Sequence, residues 1–264
     1  MRPIVTASAT SGQSCTLDLR EAGHPQRHPW EIARCAFLIR QLRRHRVTAT
    51  AHRILDAGAG DAWFANQLLA TLAPHARTTC WDAHYDTATS GAIEAAGHGR
   101  IRCTTTLPTG PFDLVTLLDV AEHVPNDAAF VQEIVTTAVR PAGWLLFTVP
   151  AWQGLFCEHD RFLQHYRRYS PKQARELLLG SGLQLVASGG LFHSLLPPRA
   201  ATKVMELLKL SSKKPEKGAA WTHGRWWTAA VGRALKADGV VSRVSAEIGL
   251  QIPGLSWWAL CRKQ

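Results

Sequence analysis

An α/β fold is predicted, a seven-stranded and mostly parallel sheet with helices on both faces, on three features of the 264-residue sequence. Short apolar runs alternate with amphipathic stretches as far as residue 187, the order that lays right-handed crossovers over a parallel sheet. One run, Phe112 to Leu118 (FDLVTLL), is uninterrupted, as a strand covered on both faces requires. The first run closes on Gly58 and Gly60, at the carboxyl end of a strand, where sheets of this kind take their ligands.

The elements follow in order. Ile32, Cys35, Ala36 and Ile39 recur at helical spacing, so a helix spans Trp30 to Leu42. Arg53 to Gly60 is a strand running into a loop, and Asp61 to Leu72 carries Phe64, Leu68, Leu69 and Leu72 on one helical face. Arg77 to Trp81 is the second strand, Tyr85 to Ala96 the second crossover helix, and Arg100 to Thr104 the third strand. After the fourth strand, Asn126 caps a helix reaching Val139. Pro141-Ala142-Gly143 then turns the chain into a fifth strand, Trp144 to Val149. Ser170-Pro171 opens another helix, with Gln173 placed to close a capping box. Leu183 to Ala187 is the sixth strand and Ser256 to Arg262 the last, expected antiparallel.

These spans divide the chain into a flexible N-terminal segment (1–27), a core (28–192), a helical insert or lid (193–254) and a last strand completing the core (255–264). In the insert, Ala201, Val204, Met205 and Leu208 form one stripe; Trp227, Ala230, Val231, Ala234 and Leu235 form a second. Such stripes serve equally as a cover for the core, a lid over an apolar ligand or a membrane-surface element.

Composition narrows the class. The chain is 46% hydrophobic and 19% charged, which excludes a mainly disordered or fibrous protein. No run approaches the roughly 18 apolar residues of a membrane span; Gly143 to Phe156 is broken by Pro150. The N-terminus lacks the apolar core of a signal peptide, and the six cysteines include no C-x-x-C pair. Both point to reduced thiols and a cytoplasmic protein. The net charge of +10 is uneven: residues 199–238 hold nine basic and three acidic groups. Nucleic acid, anionic lipid or an acidic substrate are the partners that such a patch admits.

The densest chemistry is Ile54-Leu55-Asp56-Ala57-Gly58-Ala59-Gly60-Asp61. Glycine at 58 and 60 lets the backbone turn sharply and approach a ligand. Asp82 lies 22 residues beyond Gly60, at the end of the second strand, where a carboxylate can accept two ribose hydroxyls. A nicotinamide fingerprint wants a third glycine, at the position held here by Trp63, and Asp56 would repel a pyrophosphate. An adenosyl cofactor with an amino-acid tail and no phosphates suits this pocket better. A G-x-G alone also reads as an ordinary tight turn.

On these residues the chain resembles the class I S-adenosylmethionine-dependent methyltransferases, a Rossmann-like family. ILDAGAGDAWF is similar to the family's first motif, WDAHYD to its second, FDLVTLLDVAEHV and VRPAGWLLFTVP to its fourth- and fifth-strand motifs. Two positions depart from it: Ala59 stands where many members carry Cys or Ser, and Ala62 where many carry Gly. HPWE, HDRFLQHYRRYSP and PGLSWWALCRK resemble segments of a bacterial subset, whose members often act in cell-surface, lipid or specialised-metabolite pathways. The resemblance implies S-adenosylmethionine as cofactor, held by Asp56, Ala57, Gly58, Gly60, Asp82 and Asp119, with Arg34 reaching its carboxylate.

Methyl transfer needs an aligned nucleophile and a dry pocket, with a base where the acceptor is a hydroxyl. His123 is the leading base candidate, expected to titrate near neutrality with Glu122 or Asp119 orienting it; His159 is the alternative. D-x-x-E-H is also similar to the E-x-x-E-H of ubiquinone-type O-methyltransferases, where those groups hold a divalent metal; a purely structural role is open too, and no metal ligand set is assigned. His165, Tyr166, Arg167 and Arg168 can grip an anionic group of the acceptor, or clamp the nearby helix and loop. With Trp227 they make the expected acceptor site. O-methylation of a small or lipid-like acceptor is thus expected, with peripheral contact at the inner membrane face. A basic RNA methyltransferase and a non-catalytic cofactor-binding scaffold are the competing classes. Neither an Asn/Asp-Pro-Pro-aromatic motif nor a Pro-Cys nucleophile for bases is present.

Overall fold

The fold is that of a computed structural model describing residues 27–208 and 224–264. Helix α1 (Pro29–Arg44) and a single turn, α2 (Val47–Thr50), precede β1 (Arg53–Ala57), α3 (Trp63–Leu69), β2 (Arg77–Trp81), α4 (Thr87–Ala96) and β3 (Ile101–Thr104). Strand β4 (Phe112–Leu118), α5 (Asp127–Thr137), β5 (Val139–Pro150), α6 (Glu158–Phe162), α7 (Pro171–Gly180) and β6 (Leu183–Leu191) follow. Helices α8 (Leu196–Leu207) and α9 (Arg225–Glu247) separate β6 from β7 (Ser256–Lys263).

The seven strands are ordered β3-β2-β1-β4-β5-β7-β6. All pairs are parallel except those of β7, which is antiparallel to β5 and β6. Strand order reverses between β1 and β4, so a crevice opens beyond Ala57 and Leu118. Strand alternation splits the core between the faces. Ile54, Leu114 and Trp258 pack with Leu38, Leu68 and Leu235 from α1, α3 and α9. Leu55, Val115 and Trp257 pack with Val131, Ile134 and Leu178 from α5 and α7.

Local chemistry sets the helix ends as expected. Asn126 accepts from the Ala129 amide at 3.1 Å, and Ser170 with Gln173 forms the reciprocal capping box. The strand ends differ. β5 starts at Val139, because Val139 pairs with Phe112 before a bulge that Ala142 absorbs at φ +55°. β6 runs on to Leu191, past the expected end at Ala187, through Ser188-Gly189-Gly190. These glycines serve close approach: a Cβ on Gly190 would lie 2.3 Å from the Ile252 carbonyl. They admit the chain returning from α9.

Helix α9 is the sheet's cover beside α1. Its Leu235, Asp238, Ser242 and Ser245 are buried. Asp238 accepts from the Ser194 hydroxyl at 2.6 Å, and Arg44 of α1 pairs with Glu247 at 2.9 Å. Helix α8 instead leaves Val204, Met205 and Leu207 exposed. No helix among the described residues is long and apolar enough to cross a membrane. The N-terminal segment before Arg27, the basic stretch Lys209 to Lys217, and Trp221 lie outside the described residues.

Candidate active site

The crevice at the strand-order reversal is built on left-handed backbone. Gly58 and Gly60 hold φ +69° and +53°, and the Gly58 amide donates to the Trp81 carbonyl at 2.8 Å. A Cβ on Gly58 would fall 2.4 Å from Val120 Cγ2. Val120, at the end of β4, is therefore a wall of the crevice, which only the folded chain reveals. Ala62 takes φ +56° without being glycine, at a cost of roughly 1–2 kcal/mol; this is the place where the resemblance wanted Gly.

Asp82 ties the loop to β2. One of its oxygens accepts from the Gly60 amide at 3.0 Å and the other from the His84 amide at 2.9 Å. Each retains a lone pair for a further donor. Asp56 is buried and accepts from the Thr116 hydroxyl. Burial drives its carboxyl up to about 7, against the opposing pull of that hydrogen bond and of Arg34. Ala57, the last residue of β1, is buried in the core beneath the loop.

Asp119 sits just past β4 at φ +56°, accepting from Thr148 Oγ1 at 2.9 Å and paired with Arg34. Arg34 lies over the Trp30 ring, 4.2 Å from its centroid, so α1 carries a cation and an indole to the strand ends. Arg27, which patterning did not single out, pairs with Asp61 and with Glu31 and covers the Trp63 ring at 4.7 Å. The polar lining is thus carboxylates and the bound guanidinium groups of Arg34 and Arg27 around a tight backbone turn. It suits hydroxyls, an ammonium, a sulfonium and a carboxylate, and among the described residues it offers no phosphate cradle. S-adenosylmethionine fits it.

Past Asp119, a 3₁₀ turn (Ala121–His123) buries Glu122 and sets the His123 ring edge-on to His165, centroids 4.6 Å apart. One ligand-type atom each from Glu122, His123 and His165 lie within 4.8 Å of one another. Asp119 stands outside this cluster, bonded to Arg34 and Thr148 instead. The expectation that His123 titrates near neutrality is corrected: burial, with the charge of His165, pushes its pKa down to about 4. His159 is likewise lowered by burial and by Arg199.

Behind His165 stands Asp160, which is fully buried. It accepts from His165 Nδ1 at 3.1 Å, Arg168 Nε at 2.9 Å, Arg199 Nη2 at 2.8 Å and the Cys157 amide at 2.9 Å. Burial alone would raise its pKa, but His165 and Arg168 outweigh it and hold the carboxyl well below its ordinary range. Arg168 is 6% exposed and spends Nη1 on the Ala151 carbonyl. Its geometry is that of a clamp between loop and helix, not of a hand held out to an anion. Arg167 grips Asp127 at 2.7 Å and the Pro125 carbonyl at 2.6 Å. The Tyr166 ring is exposed while its amide donates to the Glu122 carbonyl at 2.8 Å. Trp227, on the first turn of α9, is also exposed.

Residues 30–188 match the family model described as a methyltransferase domain. Comparison with the curated proteins returns no match. Among solved structures, the chain is similar to a provisionally assigned sarcosine dimethylglycine methyltransferase from Galdieria sulphuraria, at 19% identity and a TM-score of 0.56, covering 88% of this chain and 84% of that one. A provisionally assigned methyltransferase from Bacillus halodurans C-125 gives 17% identity and a TM-score of 0.52, covering 85% and 98%. The mitomycin 7-O-methyltransferase gives 12% and 0.50, covering 87% and 54%. At these identities the likeness is one of fold.

Proposed function

The chain belongs to the methyltransferase-domain family, an enzyme family whose class I fold takes S-adenosylmethionine as methyl donor, and we propose that it methylates a hydroxyl of a small, apolar or lipid-like acceptor. The cluster of Glu122, His123 and His165, just past the Asp119 end of the crevice, carries this reading. A hydroxyl must lose a proton as it is methylated, and these groups, with His159, are the candidate proton acceptors beyond Asp119.

When bound, the cofactor supplies an electrophilic methyl carbon on a sulfonium. The chain's own work is to bind and align. Asp82 takes the ribose hydroxyls with the lone pairs that the Gly60 and His84 amides leave, and Arg34 and Asp119 take the carboxylate and ammonium of the methionine tail. The Asp56–Ala57 strand end and the Gly58–Gly60 turn form the floor. Arg167 and Arg168 support the acceptor side by bolting its loop to α5 and to Asp160. The apolar character of the acceptor is read from the insert: Leu207 and Leu208 at the end of α8, and Trp226 and Trp227 at the start of α9, are exposed. They flank a segment containing Lys209, Lys213, Lys214 and Lys217, the composition of a lipid-facing element, so we place the protein peripherally at an anionic membrane face.

Two measurements test this. Calorimetry should show S-adenosylmethionine binding, and Asp82→Ala should weaken it by about 1–3 kcal/mol, the loss of hydrogen bonds to a polar ligand. Labelled-methyl transfer into bacterial lipid and metabolite extracts, resolved by mass spectrometry, should yield an O-methyl product. A product labelled only on nitrogen or carbon, or only in RNA, would refute the acceptor assignment.

A further inference from the structure

We propose that Asp160 is the positioning residue of the acceptor side: it presents His165 as the proton acceptor, and Arg199 of α8 makes that arrangement depend on the docked insert. The inference rests on the O-methylation reading and names the group that serves it.

The groups come from separate pieces of chain: Asp160 lies in α6, His165 and Arg168 lie between α6 and α7, and Arg199 lies in α8. Asp160 is the point at which they meet. A wholly buried carboxylate that accepts from two guanidinium groups, an imidazole and a backbone amide has its position over-determined. Its bond to His165 Nδ1 also settles the ring's tautomer. With Nδ1–H spent on the carboxylate, Nε2 carries the lone pair. The His165 amide donates to the Asp160 carbonyl at 2.9 Å, and the Tyr166 amide to the Glu122 carbonyl at 2.8 Å. Backbone and side chain therefore both fix this ring against the turn bearing Glu122 and His123.

His123 is less suited to take the proton. Its ring is hydrogen-bonded to the Leu163 backbone, and its surroundings disfavour imidazolium. His165 faces the carboxylates of Asp160 and Glu122, and the cationic or ionisable groups Arg168, Arg199, His123 and His159. Of the cations, Arg168 and Arg199 are both bound to Asp160 itself. In the proposed step the acceptor's O–H bond breaks and its proton forms an N–H bond at His165 Nε2. The O–H electron pair stays on oxygen, which bonds to the methyl carbon as the S–C pair returns to sulfur. Solvent later takes the proton from Nε2.

The coupling to the insert is direct. Arg199 Nη2 reaches Asp160 Oδ2 at 2.8 Å, and Glu206, two turns further along α8, accepts from the Glu158 amide at 3.3 Å. Helix α8 is thus docked on α6 at two points, one of them the residue that orients His165. An insert lifted from α6 would release one of the two guanidinium groups that hold Asp160.

The test uses the full chain. Long-range ¹H–¹⁵N spectra of ¹⁵N-histidine protein should show His165 as the Nδ1–H tautomer, and the Arg199→Gln variant should show a mixture of tautomers. Labelled-methyl transfer into the same lipid extract should fall about a hundredfold in His165→Gln, with cofactor affinity by calorimetry unchanged within twofold. Arg199→Gln should lower kcat about tenfold with little change in KM, and Arg199→Lys should restore most of it. His165→Ala should regain activity with added imidazole. Transfer by His165→Gln within twofold of the parent, or a tautomer unmoved in Arg199→Gln, would overturn the proposal. So would loss of transfer on chelation with EDTA that a divalent cation restores, because the cluster would then be a cation site. Absence of any O-methyl product in the parent chain overturns the acceptor reading instead, while the tautomer spectra still decide the positioning claim.

Discussion

The two sides of the crevice are built by different means. On the cofactor side, each candidate contact sits at the end of a strand or one turn beyond it: Asp56 near the end of β1 and Gly58 just after it, Asp82 after β2, Asp119 after β4. Parallel pairing brings these ends together, so Asp56 lies opposite Cys80 and Thr116 in register. On the acceptor side, Glu122, His123, Asp160, His165, Arg168 and Arg199 come from turns and short helices spread over some eighty positions. A buried ionic network takes the place of strand register there. A sheet positions residues by hydrogen bonds that every sequence can make, whereas a network positions them only while each partner is present.

Asp160→Ala gives the sharpest break in that comparison. Removing the carboxylate leaves Arg168 and Arg199 charged and unmatched in the interior, a cost of about 3–5 kcal/mol. Urea unfolding should show it as a fall in midpoint with an unchanged m-value. If the loss is under about 1 kcal/mol, the acceptor side is not held by this network.

The same difference decides what patterning could see. The carboxyl ends of β1 to β4, the helix caps and the G-x-G turn are local, and their periods and residue types announce them: Asn126 caps α5 and Ser170 caps α7 where expected. Asp160 and Arg199 carry no such mark, because a charged residue in a short polar stretch reads as solvated until a fold buries it. Val120 and Arg27 were silent for the same reason, one a plain valine and the other lying before the first helix. His165 and Arg168 were visible as a cluster, but composition could not say whether they faced a ligand or one another. The sixth strand, expected to end at Ala187, runs on through Gly189-Gly190, because those glycines give room to a neighbouring stretch of chain that no local pattern announces.

On the cofactor side the largest effect concerns pH. In the folded, unliganded chain Asp56 has its pKa raised to about 7 by burial, against 3.8 ordinarily. Below pH 4 it is protonated in both states. From pH 4 to 7 the unfolded chain gives up the proton while the folded chain keeps it, so the contribution of Asp56 to stability falls across that window and is level above it. At about 1.4 kcal/mol per pH unit the total is on the order of 4 kcal/mol. His123, its folded pKa lowered to about 4, adds an opposite rise over much of the same window. The test is therefore the difference between proteins: urea midpoints between pH 4 and 8 should rise with pH more steeply in Asp56→Asn than in the parent. Equal slopes in the two proteins would refute the raised pKa of Asp56.

Gly58→Val tests the turn by backbone rather than by charge. The new side chain meets Val120 and forces a branched residue to φ +69°, so a loss of about 1–3 kcal/mol in stability is expected. Cofactor binding should fall with it, because the turn must shift. Adding Val120→Ala removes the clash and leaves the backbone strain, so it should recover part of the stability only. Full recovery would mean that the left-handed turn costs nothing, and that Gly58 is there for space alone.

The smallest effect belongs to the insert, whose α9 shows both designs at once. Its middle is core, with Leu235, Asp238 and Ser242 buried, while at its first turn Trp226 is 88% exposed and Trp227 is 66% exposed. Replacing both tryptophans by serine removes little covered area from Trp226 and about a third of Trp227's, so folding stability should fall by less than about 1 kcal/mol. If these rings face lipid, the same double variant should sediment less with vesicles containing phosphatidylglycerol, and raising the salt should weaken both proteins by screening the neighbouring lysines. A stability loss above 1 kcal/mol would show instead that the rings are packed in the folded chain, and would return the start of α9 to the core side of the comparison. Unchanged stability with unchanged vesicle binding would separate the insert from membranes, leaving its link to the reaction to Arg199 alone.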